Sequence, residues 1–237
     1  MHTDDRLPEP SERQARAARI LDIAAELLLR HGYRRVTIDD VARGADIGKG
    51  TVYLHWRTRE ELFSAVFERE VREAVSGLLR ALQQDRGVVV LHRLARAYFL
   101  AIMERPLLRG FVLADAELLG KLARSGGARE DRHQLMSHQY FELLVEHRLL
   151  HADLNPEDAA YAFLATLEGF LQAGASTGEP TPADLQRRAD LLAVTVQRAF
   201  ETGHELPTAT QDLLAQRVTD LLRGPIDTDQ ADPDSTA

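Results

Sequence analysis

The sequence predicts an all-α protein, and three observations support that prediction. Ala, Leu, Glu, Arg and Gln, all good helix formers, dominate the 237 residues. Runs of β-branched residues do not exceed three residues, and one of these, Val88 to Val90, leads directly into a helical pattern. Residues that cap helix starts precede apolar periodic segments, as at Thr37, Thr58 and Thr181. Helices are therefore expected along nearly the whole chain.

A change of composition near residue 70 divides the chain into two predicted domains. Residues 11–70 are basic and compact, whereas residues 71–223 form long, more acidic helices. Residues 1–10 are predicted to be a flexible arm and residues 224–237 a disordered tail. The predicted helices are 12–31, 38–45, 49–55, 59–84, 88–104, 106–124, 129–150, 156–177, 182–203 and 208–223.

The distribution of charge is more informative than its total. The whole chain carries −8, but the segment from Arg13 to Arg59 has ten basic and five acidic residues, a net +5. The rest of the chain therefore carries −13. A basic segment on an acidic body is typical of a protein that contacts phosphate with one end, although an ordinary solvated helix surface explains the charge equally well.

Several function classes find no support in the sequence. There is no cysteine, hence no disulfide and no thiolate metal site. No apolar run approaches the ~18 residues of a membrane span, and no signal-peptide pattern opens the chain, so we expect a cytoplasmic protein without a membrane partner. No catalytic constellation emerges, so neither an enzyme nor a cofactor is expected.

Two weaker patterns suggest other chemistry. His147 and His151 are four residues apart and could share a helix face that binds a metal, but no third ligand is obvious, and a solvated helix end is favoured. The stretch from Gly44 to Thr51 differs from a phosphate-binding P-loop in the spacing of its glycines and in the residue after Lys49. Neither pattern predicts a metal or nucleotide site.

The segment from Val36 to Phe63 predicts a helix-turn-helix. Two short helices flank the turn at residues 44–48, and Ile47 is the apolar residue between them. Apolar side chains lie on the inner faces of both helices, namely Ile38, Val41, Ala42, Val52 and Trp56. The other faces of the second helix carry Lys49, Thr51, Tyr53 and His55, whose polar groups suit phosphates or base edges in a DNA major groove. Gly50, which has no Cβ, permits a close approach to DNA.

This segment resembles the DNA-binding domain of the TetR family of bacterial regulators. The resemblance covers about residues 16–64. It rests on Ile20, Ile23, Ala24, Leu27, Gly32, Tyr33, Thr37, Val41, Ala42, the run Lys49 to Tyr53, His55, Trp56 and the run Thr58 to Phe63. The family usually has glycine where Asp46 stands, serine at Gly48 and Tyr or His at Leu54. Asp tolerates the left-handed conformation that this turn needs.

The resemblance implies specific roles for residues of this segment. Thr37, Tyr53 and Arg59 are expected to contact phosphates, with Arg57 as a further phosphate contact. Lys49, Gly50 and Thr51 are expected to approach bases, while His55 lies at the DNA backbone or packs beneath it.

The resemblance also implies a ligand-binding and dimerisation role for the larger domain. A small apolar ligand is expected among helices 88–104, 106–124, 129–150 and 156–177. Candidate lining residues are Tyr98, Met103, Phe111, Tyr140, Phe141 and Phe163, although aromatic and Met residues at helical spacing are more often ordinary core, and core is favoured for each one taken individually. Helices 156–177 and 182–203 are expected to form the homodimer seam, with Phe163, Leu167, Leu171, Leu185, Leu192 and Val196 as its residues.

The resulting prediction is a homodimeric repressor that leaves a palindromic, double-stranded operator when an unidentified small effector binds. Two alternatives stay open within the same fold: an activator, and a regulator without a ligand. A helical enzyme or metal-binding protein is the alternative from another class, and it would need a convergent polar site.

Overall fold

The computed structural model describes residues 10–113, 127–175 and 180–228, and side chains within 11–110, 137–173 and 180–223. This part of the chain is helical, and its only strand-like pairing is a single bridge between Leu150 and Glu201. The all-α prediction is confirmed. Contacts divide the chain into two compact units, Met1–Glu70 and Val71–Ala237. Within the described ranges, no helix is both long and apolar enough to span a membrane.

The first unit contains three helices and the start of a fourth. They are α1 (Pro10–His31), α2 (Ile38–Gly44), α3 (Lys49–Tyr53) and α4 (Arg59–Gln84), the last of which continues into the second unit. Their apolar faces form one core, which buries Ile20, Ala24, Leu28, Val36, Ile38, Val41, Ala42, Val52, Leu62 and Phe63. Helix α2 thus packs on the long helix α1, and α3 packs on α2 across a tight turn.

Local signals determine where these helices begin and end. Gly32, at φ +74°, ends α1, and its amide donates to the Leu28 carbonyl. Thr37 begins α2 through a reciprocal capping box with Asp40. Asp46 has φ +54°, so the left-handed turn between α2 and α3 forms without the usual glycine. At the start of α4, Thr58 caps the helix by accepting from the Glu61 amide, but the Glu61 carboxylate accepts from the Arg57 amide, so the two residues do not form a reciprocal capping box.

The second unit contains the rest of α4 and six further α-helices in the described residues. A 3-10 turn at Arg86–Val89 precedes α5. The helices are α5 (Leu91–Met103), α6 (Pro106–Leu113), α7 (Gly127–Glu146), α8 (Pro156–Ala175), α9 (Pro182–Phe200) and α10 (Thr208–Thr228). The most extensive packing is between α5 and α9, whose facing sides bury Ala95, Phe99, Leu192 and Val196.

Several predicted boundaries in this unit were wrong. The helix predicted over 129–150 ends at Glu146, because the chain reverses through Arg148, at φ +56°, and the Leu149 amide caps the Leu144 carbonyl. The helix predicted over 88–104 starts at Leu91, after the 3-10 turn. Helix α10 continues to Thr228, so the first five residues of the predicted tail are helical; a glycine such as Gly224 weakens a helix without ending it. The predicted arm covers residues 1–10, but Pro10 already begins α1. Residues 1–9, the rest of the tail, and residues 114–126 and 176–179 lie outside the described residues.

Candidate nucleic-acid interface and apolar cavity

Helix α3 is held in the first unit by one buried side chain. Val52 is fully buried, Thr51 is half-buried, and Lys49, Gly50 and Tyr53 are exposed. A Cβ built on Gly50 meets no atom within 4 Å. The exposed side of α3 therefore offers an ammonium and a phenol next to bare backbone, a set of groups that suits phosphates and base edges.

Lys49 forms an ion pair with a residue that the sequence analysis did not single out. Its Nζ lies 2.9 Å from Asp39 Oδ2, and both side chains are about half exposed, at 49% and 57%. This hydrogen bond raises the pKa of Lys49, so its ammonium is charged at neutral pH. The pair joins the first turn of α2 to the start of α3. No spacing rule within one helix connects residues 39 and 49, so this ion pair could not be predicted from the sequence.

Thr37, the predicted phosphate contact, uses its donors within the chain. Its hydroxyl donates to Asp40 Oδ2 at 2.6 Å, and its amide donates to the same oxygen at 3.0 Å. These two bonds lower the pKa of Asp40 and keep its carboxylate ionised. A phosphate accepts hydrogen bonds only, so Thr37 must release Asp40 before its hydroxyl can donate to DNA.

Arg59 was expected to contact DNA, but in the structure its side chain is held by contacts within the chain. Its guanidinium donates to the carbonyls of Val36, at 2.8 Å, and Tyr33. It also lies over the rings of Tyr33 and Phe63, at 4.3 and 4.9 Å from their centroids, and only 25% of the side chain is exposed. A planar cation held between two rings and two carbonyls stabilises the segment before α2, so we withdraw Arg59 as a phosphate contact.

His55 and Arg57 follow α3 and differ in exposure. His55 is half-buried beside Trp56, with ring centroids 5.3 Å apart, and its pKa is lowered by burial and then by the nearby charges of Arg13 and Arg16. His55 is therefore largely neutral at pH 7. The Arg57 side chain is exposed, as a phosphate contact requires. Trp56, expected inside, is only half-buried.

The second unit contains an apolar cavity of about 120 Å³. Helices α5, α7, α8 and α10 surround it, and its lining residues are Leu94, Ala95, Tyr98, Ser137, Tyr140, Phe141, Phe163, Leu164, Leu167, Val218, Leu221 and Leu222. None of these carries a formal charge at neutral pH. Burial raises the pKa of both tyrosines, so their phenols are protonated. The Tyr140 hydroxyl donates to the Val89 carbonyl at 2.8 Å.

The cavity brings together four of the six candidate ligand residues: Tyr98, Tyr140, Phe141 and Phe163. Met103 is fully buried but does not line the cavity, and the Phe111 side chain lies outside the described side chains. Helix α10, which supplies Val218, Leu221 and Leu222, was not expected to contribute. Its contribution depends on how the chain returns after α9, and apolar periodicity does not encode that path.

The residues assigned to the dimer seam lie mostly inside a single chain. Leu167, Leu171, Leu185, Leu192 and Val196 are all buried, and Phe163 lies between the rings of Phe141 and Phe200. The five buried side chains have no surface left to offer a partner, so their assignment to the seam is corrected. Phe163 is half-buried and stays a prediction. The same two helices expose a different apolar set, namely Tyr161 and Leu164 on α8 and Leu191 and Val194 on α9.

A metal site gains no support from the structure. His147 follows the end of α7, so it and His151 do not share a helix face. Across the described residues, no group of three or more His, Asp or Glu side chains converges in a way that suits a metal ion.

Comparison with known proteins places residues 20–66 within the profile "Bacterial regulatory proteins, tetR family". The regulator Mb1581 of Mycobacterium bovis is 39% identical over 69 residues, which cover 29% of this chain and 34% of that protein. The chain thus spans about a third of the length of that relative. The regulator AcrR of Shigella flexneri is 24% identical over 198 residues, covering 78% of this chain and 90% of AcrR.

The fold extends the similarity beyond the first unit. The complex of SmeT with triclosan superposes with a TM-score of 0.63 over 82% of this chain and 96% of the other, at 24% identity; SmeT is the repressor of a Stenotrophomonas maltophilia multidrug efflux pump. The helix-turn-helix and the profile match identify residues 20–66 as a domain of the tetR family of bacterial regulatory proteins, and the chain as a whole shares the helical fold of SmeT.

Proposed function

We propose that this chain is a homodimeric transcriptional repressor that binds a palindromic operator and releases it when a small apolar molecule enters the cavity of its second unit. The observation that carries the proposal is the exposed face of α3. It presents Lys49, Gly50 and Tyr53 on a helix whose one buried anchor is Val52, an arrangement that serves an external partner rather than the core.

DNA binding is tested by selecting duplexes from a random pool with the full chain and sequencing those retained. The double variant Lys49→Ala/Tyr53→Ala removes the two exposed donors and is expected to weaken binding strongly, with a salt slope lower by about 1 for each lost phosphate contact. Arg217→Ala, which removes an exposed cation from the second unit, serves as the control. Binding by the double variant at the wild-type level contradicts this surface assignment.

Dimerisation is proposed through the exposed apolar residues of α8 and α9. Tyr161 is 78% exposed, Leu191 49% and Val194 42%. Large apolar side chains exposed on two helices that pack against each other suggest a protein partner. A two-fold dimer places two α3 helices on half-sites ~34–36 Å apart or one further turn. A single copy of α3 reads only a few base pairs.

The double variant Leu191→Glu/Val194→Glu tests this seam without entering the core. Light scattering is expected to show a dimer for the wild type and a monomer for the variant, with operator binding lost. Leu29→Glu changes an equally exposed leucine in the first unit and is expected to leave the dimer intact. A wild type that is monomeric at micromolar concentration rules out the proposal.

The effector is proposed to be small, neutral and apolar, of the size of one aromatic ring. The cavity of about 120 Å³ is close to the ~150 Å³ of an engineered apolar cavity that binds benzene. Four aromatic side chains line it, and the hydroxyls of Tyr98 and Ser137 are polar groups that can orient a ligand. SmeT, which shares the fold, is known in complex with triclosan.

Phenol and toluene are suitable probes of this cavity. Each is expected to raise the melting temperature of the chain and lower its operator affinity by about 5- to 150-fold, the usual range of allosteric coupling. Ser137→Phe fills the cavity and is expected to abolish both effects while the chain still binds DNA; Ser137→Ala is the matched control. In a reporter strain, the same compounds increase expression if the chain is a repressor. Stabilisation without any change in operator affinity contradicts the ligand-gated mechanism.

A further inference from the structure

The Lys49–Asp39 ion pair lies on the face that is proposed to meet DNA. The two side chains come from different helices and are ten residues apart in sequence, yet Nζ and Oδ2 are 2.9 Å apart. The neighbouring acid, Asp40, is engaged differently: its carboxylate binds the Thr37 amide and hydroxyl and also pairs with Arg43. Asp39 is thus the acid of this turn that faces α3.

The pair has unused hydrogen-bonding capacity on both partners. An ammonium has three N–H donors and an ionised carboxylate accepts about four hydrogen bonds, so their mutual bond uses only one of each. Both groups are about half exposed. Together they present donors and acceptors side by side, and the neighbouring Gly50 adds no side chain to this surface.

We propose that Asp39 and Lys49 together read one G·C base pair in each half of the operator, an inference that rests on the DNA binding proposed above. In the major groove, guanine offers the acceptors N7 and O6, and cytosine offers its N4 amino group as a donor beside them. The Lys49 ammonium binds the guanine acceptors while the Asp39 carboxylate accepts from cytosine. The ion pair fixes the spacing of the two groups before DNA arrives.

An A·T pair matches this dyad less well. Adenine offers one acceptor followed by a donor, and thymine then presents O4, a second acceptor, and a methyl group. The carboxylate would face the thymine O4 without a proton between them, and the ammonium would have a single acceptor. Contacts of the dyad with phosphates are also unfavourable for Asp39, because two anions repel.

Selection from a random duplex pool, followed by sequencing, tests this inference with four proteins: the wild type, Lys49→Ala, Asp39→Asn and Asp46→Asn. The control Asp46→Asn removes the same charge by the same substitution in the adjoining turn, where Asn tolerates the left-handed conformation. We expect the wild type to favour G·C at one position of each half-site by at least about fivefold. Lys49→Ala and Asp39→Asn each lose that preference at the same position, and Asp46→Asn keeps it.

The outcomes separate this inference from the function on which it rests. A wild type that enriches no sequence overturns both. If the wild type enriches a motif but the two variants leave it intact, alter different positions, or weaken binding equally to all sequences, the base-pair reading is wrong and the DNA-binding proposal stands.

Discussion

The two units of this chain place their candidate sites in opposite physical settings. In the first unit, the groups proposed to act are exposed side chains on or beside a five-residue helix, and the core beneath them is separate. In the second unit, the cavity is lined by the core itself, with Tyr140, Phe141 and Leu167 among its buried residues. Function and stability are therefore expected to be separable in the first unit and inseparable in the second.

This difference in burial determines whether the effect of a substitution on binding can be separated from its effect on stability. A change on the exposed face of α3 reports on binding, because little packing is lost. A change of a cavity residue alters the fold and the ligand site together, so binding data from such variants need a stability measurement beside them. Four predictions test this contrast, from the largest expected effect to the smallest.

Phe141→Ala is expected to destabilise the chain by about 3–5 kcal/mol, the cost of removing a buried aromatic side chain. Phe141 is 1% exposed, lines the cavity and contacts the rings of Tyr140 and Phe163. Urea unfolding of the full chain measures the effect. Leu213→Ala, at a leucine of α10 that is 47% exposed and outside the proposed dimer seam, is the control and is expected to change stability by less than about 0.5 kcal/mol. Equal effects of the two substitutions would falsify the assignment of Phe141 to the core.

Arg59→Ala is expected to cost about 2–3 kcal/mol, because it leaves the carbonyls of Val36 and Tyr33 without their donor and removes the cation from two aromatic rings. Arg57→Ala, which removes an exposed cation two residues away, is expected to leave the fold stable and weaken only DNA binding. Urea unfolding and DNA titration of both variants decide the matter. If the Arg59→Ala protein is as stable as the wild type, the structural role is wrong and Arg59 is again predicted to contact phosphate.

Gly50→Ala separates folding from DNA binding most directly. A Cβ at this helical position meets nothing within 4 Å in the free chain, and alanine is the better helix former, so stability is expected to rise by about 0.5–1 kcal/mol. Operator affinity is expected to fall, because the added methyl occupies space into which DNA comes close. Unchanged affinity in this stabilised variant shows that Gly50 does not approach DNA.

The smallest effect concerns pH. The pKa of His55 lies below its ordinary value of 6.5, first because of burial and then because of Arg13 and Arg16. The unfolded chain therefore takes up a proton at a higher pH than the folded chain, so the stabilising contribution is complete above pH 6.5 and decreases as the pH falls towards the folded pKa. Unfolding curves measured between pH 5 and 8 (about the range in which His titrates) are expected to show this decline. His55→Gln should flatten it; an equally steep decline in that variant assigns the effect to another group.

Local signals made much of the first unit predictable. The capping pair Thr37 and Asp40, the left-handed Asp46 and the α2 and α3 starts follow from side chains within a few residues of one another. The Arg59 contacts do not, because they join positions 23 and 26 residues apart. Whether a guanidinium meets phosphate or a pair of carbonyls depends on the packed fold.

The second unit shows the same limit more strongly. Apolar periodicity located α8 and α9 but could not tell which apolar stripe faces the chain's own core, so Leu192 and Val196 were assigned to a partner while Leu191 and Val194 are the exposed residues. Shifting the stripe by one residue along the helix rotates the face that it defines by ~100°, since the helix has 3.6 residues per turn. The contribution of α10 to the cavity lining could not be predicted for the same reason, because it depends on packing between elements that are distant in sequence.

The single anchor of α3 has a consequence for how such a regulator changes over generations. Because Val52 is the one fully buried residue of the helix, the other four positions carry little of the folding free energy. If α3 meets DNA as proposed, point mutations there are filtered almost entirely by the operators that the protein must occupy, and hardly by misfolding. A duplicated gene can thus acquire a new set of target promoters through a few substitutions, while the scaffold that carries them is inherited intact.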